Sequence, residues 1–325
     1  MSKPRSPFLD YLVYLVVRFF VCALQTLSVS TACRLASGLA WLVHRIDRRH
    51  RKVADDNLRH AFAGALTDAQ RERLILNTYR HFCRLLIEIV HLPRKLHLHN
   101  WRRYVKLNHG RQLVSCLLAD RPLLIVTGHF GNWELAGYTL GLLGFKSYAV
   151  ARPLDNPYLD DFLHRFRERT GQTILAKKGD FHQMRHILSE GGVLATLADQ
   201  DAGQRGLFVN FFGRPASTHK AIALMAMENR VPILLVLVRN AGEPLRYDVV
   251  SEELILPEEY DGQVDAVSAI TQRFTQALEG GIRTAPEQYF WLHRRWKHQQ
   301  PPPRKARRRH GEGETRRGGE MQASA

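Results

Sequence analysis

Two side chains that can move a proton stand close together in one short segment of the sequence, PLLIVTGHFGNWE at residues 122–134. His129 follows the apolar run 123–126, and Glu134 lies five positions later, with turn-forming residues between them. The apolar run predicts a buried strand, and the mostly apolar residues 135–143 predict a helix. We therefore expect the histidine at the carboxyl end of a strand and the acid in the first turn of a helix, where open α/β sheets place their sites.

The chemistry expected of this pair is general-base catalysis. Neutral imidazole is well suited to take a proton from a hydroxyl group near neutral pH. A carboxylate on its other ring nitrogen would fix the tautomer and stabilise the imidazolium that forms. The segment contains no serine or cysteine, so His129 is predicted to act directly on a bound hydroxyl, with Glu134 orienting it. The spacing alone is also compatible with a strand-end histidine and a helix N-terminal acid beside the helix dipole.

Two arginines are predicted near the same edge of the sheet. Arg152 comes just after a predicted strand, and Arg167 belongs to the helix that follows. A guanidinium in this position can stabilise an oxyanion or hold an anionic group of a substrate. In a chain this basic, each of them can also be part of a solvated surface.

The tripeptide Asp199-Gln200-Asp201 follows the apolar run 193–198 and is therefore predicted at another strand end. Paired acids there can bind Mg²⁺, position a sugar hydroxyl or order the loop. The absence of a phosphate-binding glycine loop nearby favours loop ordering and substrate positioning. Asn132, between the histidine and the acid of the first segment, is also expected to contribute to substrate or oxyanion binding.

No metal ion and no cofactor is predicted. His182 and His186 are four residues apart, a spacing that can bind a metal on one helix face, but no third ligand is spaced to join them. The cysteines show no CxxC spacing, which favours reduced thiols on the cytoplasmic side; they are Cys22, Cys33, Cys83 and Cys116.

The pattern after the central segment alternates between strands and helices, which is typical of an α/β protein with a mainly parallel central sheet flanked by helices. A capping box at Thr67–Gln70 predicts the start of a long helix that ends near Val90. Further strands are predicted near 146–151, 173–176, 193–198 and 232–238, with an edge strand at 245–255. Further helices are predicted near 53–62, 157–169, 180–190, 217–229 and 264–281.

Residues 8–29 form an apolar segment interrupted by Asp10 and Arg18. Its length allows a helix that spans a membrane, whereas the two charges favour a helix lying in the interface; a buried core helix is a third possibility. Basic residues are concentrated at 45–52, where they can meet anionic headgroups in either membrane mode; if residues 8–29 span the membrane, this bias places the catalytic body in the cytoplasm. We expect a hydrophobic membrane-associated helix, and the sequence is compatible with both a spanning and an interfacial mode of association.

The formal net charge of the 325-residue chain is +16, which implies an anionic partner. The basic patches lack the interleaved aromatic residues of RNA-binding motifs, so nucleic acid is not expected. Three parts are predicted: an N-terminal membrane anchor with the basic cluster at 1–52, a catalytic domain at 53–298, and a disordered basic tail at 299–325.

The string HFGNWE at 129–134 resembles the motif of the lipid A biosynthesis acyltransferases, within the wider His-x4-Asp/Glu glycerolipid acyltransferase superfamily. Three further blocks resemble the family in the same order: RPLDNP at 152–157, DQD at 199–201 with a downstream FFG, and PEQYFWLHRRWK at 286–297. The resemblance spans roughly residues 8–298. Gly128 stands where many members carry asparagine, and the basic tail is longer than is usual, which bears on the acceptor more than on the reaction.

The resemblance implies an O-acyltransferase at the cytoplasmic face of a bacterial inner membrane. It implies acyl-acyl carrier protein as the donor and a hydroxyl of a lipid A precursor as the acceptor. By position, Arg152 matches the arginine of the family's Arg-Pro segment, Arg167 an arginine linked to activity, and Asp199 a functionally important aspartate. The alternatives are an acyltransferase for another glycolipid or a lysophospholipid, and a non-catalytic membrane-bound binding protein.

Overall fold

The computed structural model describes residues 6–108, 110–119, 121–176 and 181–299. Its centre is a seven-stranded sheet in the order β1-β9-β8-β2-β5-β3-β4, parallel except between β8 and β9. The strands of this sheet are β1 (Val105–Asn108), β2 (Leu123–Thr127), β3 (Ser147–Ala151), β4 (Gln172–Ala176), β5 (Val193–Leu197), β8 (Ile233–Asn240) and β9 (Tyr247–Ile255). A separate hairpin consists of β6 (Leu207–Phe211) and β7 (Arg214–Thr218). The predicted α/β class and mainly parallel sheet are confirmed.

Helices cover both faces of the sheet. The strand β2 is therefore buried on both sides, which explains why its residues 123–126 are all apolar. Leu124 and Val126 belong to the core shared with α8 (Phe181–Ser189), α9 (Ala221–Asn229) and α10 (Ala266–Thr284). Leu123 and Ile125 pack on the other face with α5 (Gly110–Leu118) and α6 (Trp133–Leu142). Successive side chains of a strand point to opposite faces, so a strand covered on both sides needs no polar position. On the second face, α7 (Pro157–Glu168) follows β3 and lies against α6 and β4.

Four helices precede the sheet: α1 (Pro7–Thr26), α2 (Val29–Ile46), α3 (Arg48–Ala61) and α4 (Asp68–Lys95). The predicted capping box is present, because the Thr67 hydroxyl accepts from the backbone N–H of Gln70 and the Gln70 side chain accepts from that of Thr67. Among the described residues, α1 alone is long and apolar enough to cross a membrane, and only 6% of its apolar window is buried. The expected N-terminal apolar helix is therefore present, and the boundary proposed after residue 52 falls inside α3.

Several sequence-based boundaries differ from the structure. The helix predicted at 217–229 begins only at Ala221, because the preceding residues form the β6–β7 hairpin. The strand predicted at 245–255 is not the edge strand of the sheet. It is the second strand from the edge, because β1 pairs with its outer side. The structure also contains α2, β1 and α5, which the sequence patterns did not predict. The tail prediction falls on residues almost wholly outside those that the structure describes.

Candidate active site

His129 stands two residues beyond the end of β2, and Asp199 stands two residues beyond the end of β5. These two strands are parallel neighbours whose last registered pair is Thr127 with Leu197. The ladder continues past the strands, because the backbone N–H of Ala198 donates to the carbonyl of Thr127. The register therefore brings the histidine and the aspartate side by side at the carboxyl edge of the sheet, where such folds bind ligands.

Asp199 is the acid that holds His129. Its Oδ1 lies 2.8 Å from the imidazole Nδ1, and its Oδ2 accepts from the backbone N–H of His129, also at 2.8 Å. Burial disfavours the charged imidazolium, but the Asp199 charge and hydrogen bond, with a smaller contribution from Glu134, more than offset it. The pKa of His129 is consequently raised above its ordinary value, so the pair is arranged to stabilise a proton taken up by the imidazole.

The Asp199 carboxylate is almost completely buried, with 4% of the residue exposed. Burial alone would raise its pKa, but the charge of His129 and the two hydrogen bonds from that residue lower it below the ordinary value. The phenol of Tyr289 is buried beside this acid, and both burial and the Asp199 charge raise the pKa of Tyr289. Asp199 therefore remains a carboxylate in the interior because the imidazole and the backbone N–H of His129 satisfy it.

The other side of the imidazole faces the site. The Trp133 ring lies edge-on to it, with centroids 5.0 Å apart, and the Phe290 ring lies 6.1 Å away. The amide nitrogen of Gln200 is 3.5 Å from Nε2 of His129. About a fifth of the His129 side chain is exposed. Nε2 is thus the ring nitrogen that a substrate hydroxyl can reach.

Glu134 does not orient His129, which corrects the expectation drawn from the five-residue spacing. Its carboxylate forms a two-point ion pair with Arg167 of α7, with Nη2–Oε1 at 2.5 Å and Nε–Oε2 at 2.9 Å. Both side chains are mostly buried, and the ion pair raises the pKa of Arg167 against the effect of burial. Because Glu134 is in the first turn of α6, it points across to the neighbouring helix rather than back to the imidazole. Its participation in catalysis, and that of Arg167, stays a prediction.

The loop between His129 and α6 is fixed by backbone contacts. Gly131 has a φ of +59°, and its N–H donates to the carbonyl of Gln288. A side chain here is excluded, since a Cβ would lie 1.6 Å from the carbonyl oxygen of Val238. His81 contacts the carbonyl of Gly131 from the other side, and burial lowers the pKa of His81 to about 4, so it acts as a neutral donor. The glycine is required for this close approach.

Asn132 has a structural role that differs from the expected substrate contact. It is fully buried, its Oδ1 accepts from the N–H of Leu135 as the N-cap of α6, and its Nδ2 contacts the phenol of Tyr247. Its backbone N–H donates to the carbonyl of Val238. Both the side chain and the N–H of Asn132 are therefore occupied, which removes them from the candidate oxyanion donors.

Two further predicted site residues, Arg152 and Asp201, lie in different surroundings: the first is exposed, and the second is bonded within a loop. Arg152 follows β3, but its side chain is 79% exposed and pairs with Asp155, so the structure does not bring it to His129. Asp201 accepts from the backbone N–H of Gly203, and its Oδ2 lies 2.6 Å from Nδ1 of His298. Asp201 therefore orders the loop after β5, which agrees with one of the roles considered from the sequence.

Tyr289, Phe290 and His293 are neighbours of the site that sequence reasoning did not select. The N–H of Phe290 donates to the carbonyl of His129, and the Nε2 of His293 accepts from the N–H of Asp201. Burial lowers the pKa of His293, which keeps it neutral as an acceptor. The sequence signal for these residues is the density of aromatic side chains around His293 in the block 286–297, which by itself indicates the family resemblance and not a contact with the site.

An apolar cavity of about 120 Å³ begins beside the site. Its lining includes Trp133, which contacts His129, together with the Glu134–Arg167 ion pair. The rest of the lining is mainly aliphatic and comes from α5, α6 and strands of the sheet; it includes Leu113, Ile125, Leu140, Val150 and Ala195. An imidazole next to a narrow apolar cavity suits a reaction at the end of a hydrocarbon chain.

The comparisons with known proteins identify the chain as an acyltransferase. Its sequence matches the bacterial lipid A biosynthesis acyltransferases over residues 2–298, so the chain belongs to that family.

Two relatives come from Escherichia coli (strain K12). The chain is 26% identical to the lipid A biosynthesis lauroyltransferase over 268 residues, which covers 81% of this chain and 84% of that protein. It is 24% identical to the lipid A biosynthesis palmitoleoyltransferase over 270 residues, with 82% and 84% covered. A third relative is the phosphatidylinositol mannoside acyltransferase of Mycolicibacterium smegmatis, 25% identical over 214 residues, with 60% and 68% covered.

Replacing Asp199 by asparagine is expected to shift the pH dependence of the enzyme. His129 must be neutral to accept a proton, and its pKa is raised, so the acidic limb of kcat/KM should lie above pH 6.5 in the unmodified protein. Asp199→Asn removes the main cause that raises the pKa and leaves burial to lower it, so the limb should move to lower pH. The plateau should fall by roughly 10²–10⁴-fold, since the imidazolium loses its counter-charge.

The matched control is the double variant Glu134→Gln/Arg167→Gln, which removes the neighbouring ion pair without leaving one charge buried alone. Its acidic limb should stay close to that of the unmodified protein, because Glu134 is the smallest contributor to the His129 pKa. A limb that moved with the double variant and not with Asp199→Asn would show that Glu134 governs the base.

Proposed function

We propose that this chain transfers a fatty acyl group from acyl-acyl carrier protein to a hydroxyl of a lipid A precursor. The observation that carries the proposal is the position of His129: its Nδ1 is held by Asp199, its Nε2 faces the site, and an apolar cavity begins beside it. Family membership supports the reaction class. The names of the lauroyl- and palmitoleoyltransferases support a fatty acyl chain as the group transferred.

The reaction needs one base and no acyl-enzyme. Nε2 of His129 removes the proton of the acceptor hydroxyl as its oxygen attacks the thioester carbonyl carbon. The tetrahedral intermediate then expels the thiolate of the donor, and the imidazolium returns the proton to that sulfur. Asp199 stabilises the positive imidazolium between the two steps. The transfer is therefore direct, from donor to acceptor within one ternary complex.

The oxyanion of the intermediate requires donors that are not already used. Arg167 is paired with Glu134, and the N–H groups of Gly131 and Asn132 are bonded to backbone carbonyls. The Gln200 amide lies next to Nε2 of His129, so we assign it to the stabilisation of the oxyanion or to positioning of the acceptor hydroxyl. Arg152 is exposed and can meet an anionic group farther out on a substrate.

The apolar cavity is the proposed acyl-chain pocket. Its aliphatic lining can remove methylene groups from water, and the Glu134–Arg167 pair fixes α6 against α7 beside it. In this role Glu134 shapes the entrance to the pocket rather than moving a proton. The depth of the pocket then determines which acyl chain is accepted.

The acceptor is assigned from the family and from the relatives of the chain. A lipid A precursor agrees with the family to which the chain belongs. The similarity to a phosphatidylinositol mannoside acyltransferase favours another glycolipid as the second candidate. A lysophospholipid acceptor and a non-catalytic binding protein are the further alternatives, and the lipid analysis below distinguishes them.

We place the protein at the cytoplasmic face of the bacterial inner membrane. Large apolar side chains on α1 and α2 are exposed, including Phe8 (73%) and Ile46 (70%). The basic residues at 45–52 follow directly and can contact anionic headgroups. This position would give the site access to a cytoplasmic carrier protein and to a membrane lipid.

The first test compares lipids from cells that contain the protein, lack it, or carry His129→Ala. We expect mass spectrometry to show a lipid A species heavier by one acyl chain in the first strain alone, because loss of the base should reduce turnover by at least 10²-fold. The same gain on a different glycolipid or on a phospholipid would replace the acceptor. No change on any lipid, with the protein present in the membrane fraction, would support the binding-protein alternative.

Filling the apolar cavity is expected to shorten the preferred acyl chain. Ala195→Leu adds bulk to the lining, so kcat/KM for the longest accepted donor should fall roughly tenfold or more while that for a shorter donor is retained. Competition among donors of graded chain length measures the change. Ala69→Leu, on the exposed side of α4, is the control. Equal loss for all chain lengths would mean that the cavity does not hold the chain.

The positive charge of the body is expected to attract the acidic carrier protein. The net charge is +16, so raising the salt concentration from low to physiological strength should reduce kcat/KM several-fold with acyl-acyl carrier protein. Acyl-pantetheine, which carries the same thioester without the protein, should respond much less. A carrier-protein reaction that ignored salt would contradict electrostatic attraction of the donor.

A further inference from the structure

A groove with a different composition lies between α1, α4 and α7. It encloses about 570 Å³, and apolar side chains such as Val21, Ile89 and Phe162 form part of its lining. The remainder includes four guanidinium groups, contributed by Arg18, Arg94, Arg165 and Arg169. We call this the arginine groove. It combines an apolar surface with a concentration of positive charge.

The arginine groove is separated from the cavity beside His129 by α7. Phe162, Arg165, Phe166 and Arg169 recur at spacings of three and four residues, so they share the side of α7 that borders the groove. Arg167 contacts Glu134 and lines the other cavity instead. The groove is therefore a second site and not an extension of the first.

The groove has an excess of positive charge. Arg165 is paired with Asp161 at 2.9 Å. Arg18, Arg94 and Arg169 have no ion pair with an acidic side chain among the residues that the structure describes; Arg18 lies over the ring of Phe162, and Arg94 donates to a backbone carbonyl. Guanidinium groups bind phosphate with two parallel hydrogen bonds, so three of them around one groove fit a phosphate group.

α1 is attached to the body at both ends. The Asn156 side chain at the start of α7 donates to the carbonyl of Asp10. Near the other end, the Gln25 side chain donates to the carbonyl of Val90 on α4. The helix is therefore held side-on against the catalytic domain over most of its length, with the arginine groove beneath it.

The burial pattern of α1 agrees with this placement. Its less exposed residues form one helical stripe that faces α4 and α7: Asp10, Tyr14, Val17, Arg18, Val21, Leu24 and Gln25. The other side is apolar and open to solvent, with Phe19 and Phe20 exposed by 68% and 59%. A helix crossing the bilayer in this attachment would carry charged groups of α4 and α7 into hydrocarbon, which is costly. An orientation in the plane of the interface avoids that cost.

We propose that α1 lies flat in the membrane interface and that the arginine groove binds the phosphate of an anionic glycerophospholipid of the surrounding bilayer. The guanidinium groups hold the phosphodiester, and the apolar lining contacts the glycerol and the first methylene groups. This lipid is not a substrate: it docks the protein with its site toward the surface. The proposal rests on the proposed membrane association but not on the acyl-transfer reaction.

The test measures binding of the full-length protein to vesicles of phosphatidylcholine, with and without phosphatidylglycerol. The unmodified protein should prefer the anionic vesicles. The variant Arg18→Gln/Arg94→Gln/Arg169→Gln should lose this preference by on the order of a hundredfold, at about a factor of five per charge near the surface.

The matched control removes three exposed arginines from other elements, in the variant Arg111→Gln/Arg121→Gln/Arg185→Gln. It should retain most of the preference for anionic vesicles, because a specific site depends on position and not only on net charge. Equal losses in the two triple variants would overturn the proposal in favour of diffuse electrostatic attraction.

A second measurement distinguishes a bilayer phospholipid from the phosphate of the acceptor. In neutral detergent micelles without phospholipid, the groove variant should keep the KM for the acceptor unchanged. A rise in this KM would assign the groove to the acceptor and overturn the proposal. If the protein proved to have no transferase activity, the vesicle comparison would still test the groove.

The orientation of α1 can be tested separately with tryptophan probes at Phe8 and Phe20. These positions are twelve residues apart, about 18 Å along the helix axis. Depth-dependent quenchers in the vesicles should report similar depths for Phe8→Trp and Phe20→Trp if the helix lies flat. Depths that differ by most of that length would show that α1 spans the bilayer.

Discussion

Much of the candidate site follows from the need to keep one buried carboxylate charged. Asp199 is nearly inaccessible to water, so its charge must be met by protein donors. The imidazole and the backbone N–H of His129 supply them. Gly128 belongs to the same constraint, because a Cβ at that position would lie 2.9 Å from Leu278 and 3.4 Å from the Asp199 carboxyl carbon. A histidine held in this way has one orientation and one free ring nitrogen.

The two acids of the region have separate functions, although the sequence first suggested a single His–Glu pair. Asp199 raises the pKa of His129, whereas Glu134 joins α6 to α7 through Arg167. The five-residue spacing therefore has a structural explanation. The end of β2 positions His129, and the first turn of α6 directs Glu134 toward Arg167. The attraction within a buried ion pair of this kind is largely offset by the cost of taking both charges out of water, so its contact between α6 and α7 is not evidence of added stability.

The fold class was predictable because buried parallel strands leave continuous apolar runs and their helices leave periodic ones. The positions of His129 and Asp199 at strand ends were predictable for the same reason. Their contact was not, because it depends on β2 and β5 being neighbours, and strand order is decided by long-range packing. The short strand β1 was missed because only Val105 and Leu107 carry its apolar signal. The roles of Asn132 and Glu134 required side-chain directions that spacing cannot provide.

The last part of the domain has a consequence for how the protein is made. Gln288 and Phe290 bind the backbone of the His129 loop, and His293 and His298 bind the loop after β5. Since ribosomes release the chain from its amino end, the apolar helix α1 and His129 emerge long before these residues. The nascent chain can thus expose its apolar helix while its site is still unassembled, and the contacts that hold the His129 loop form only when residues 286–298 have left the exit tunnel.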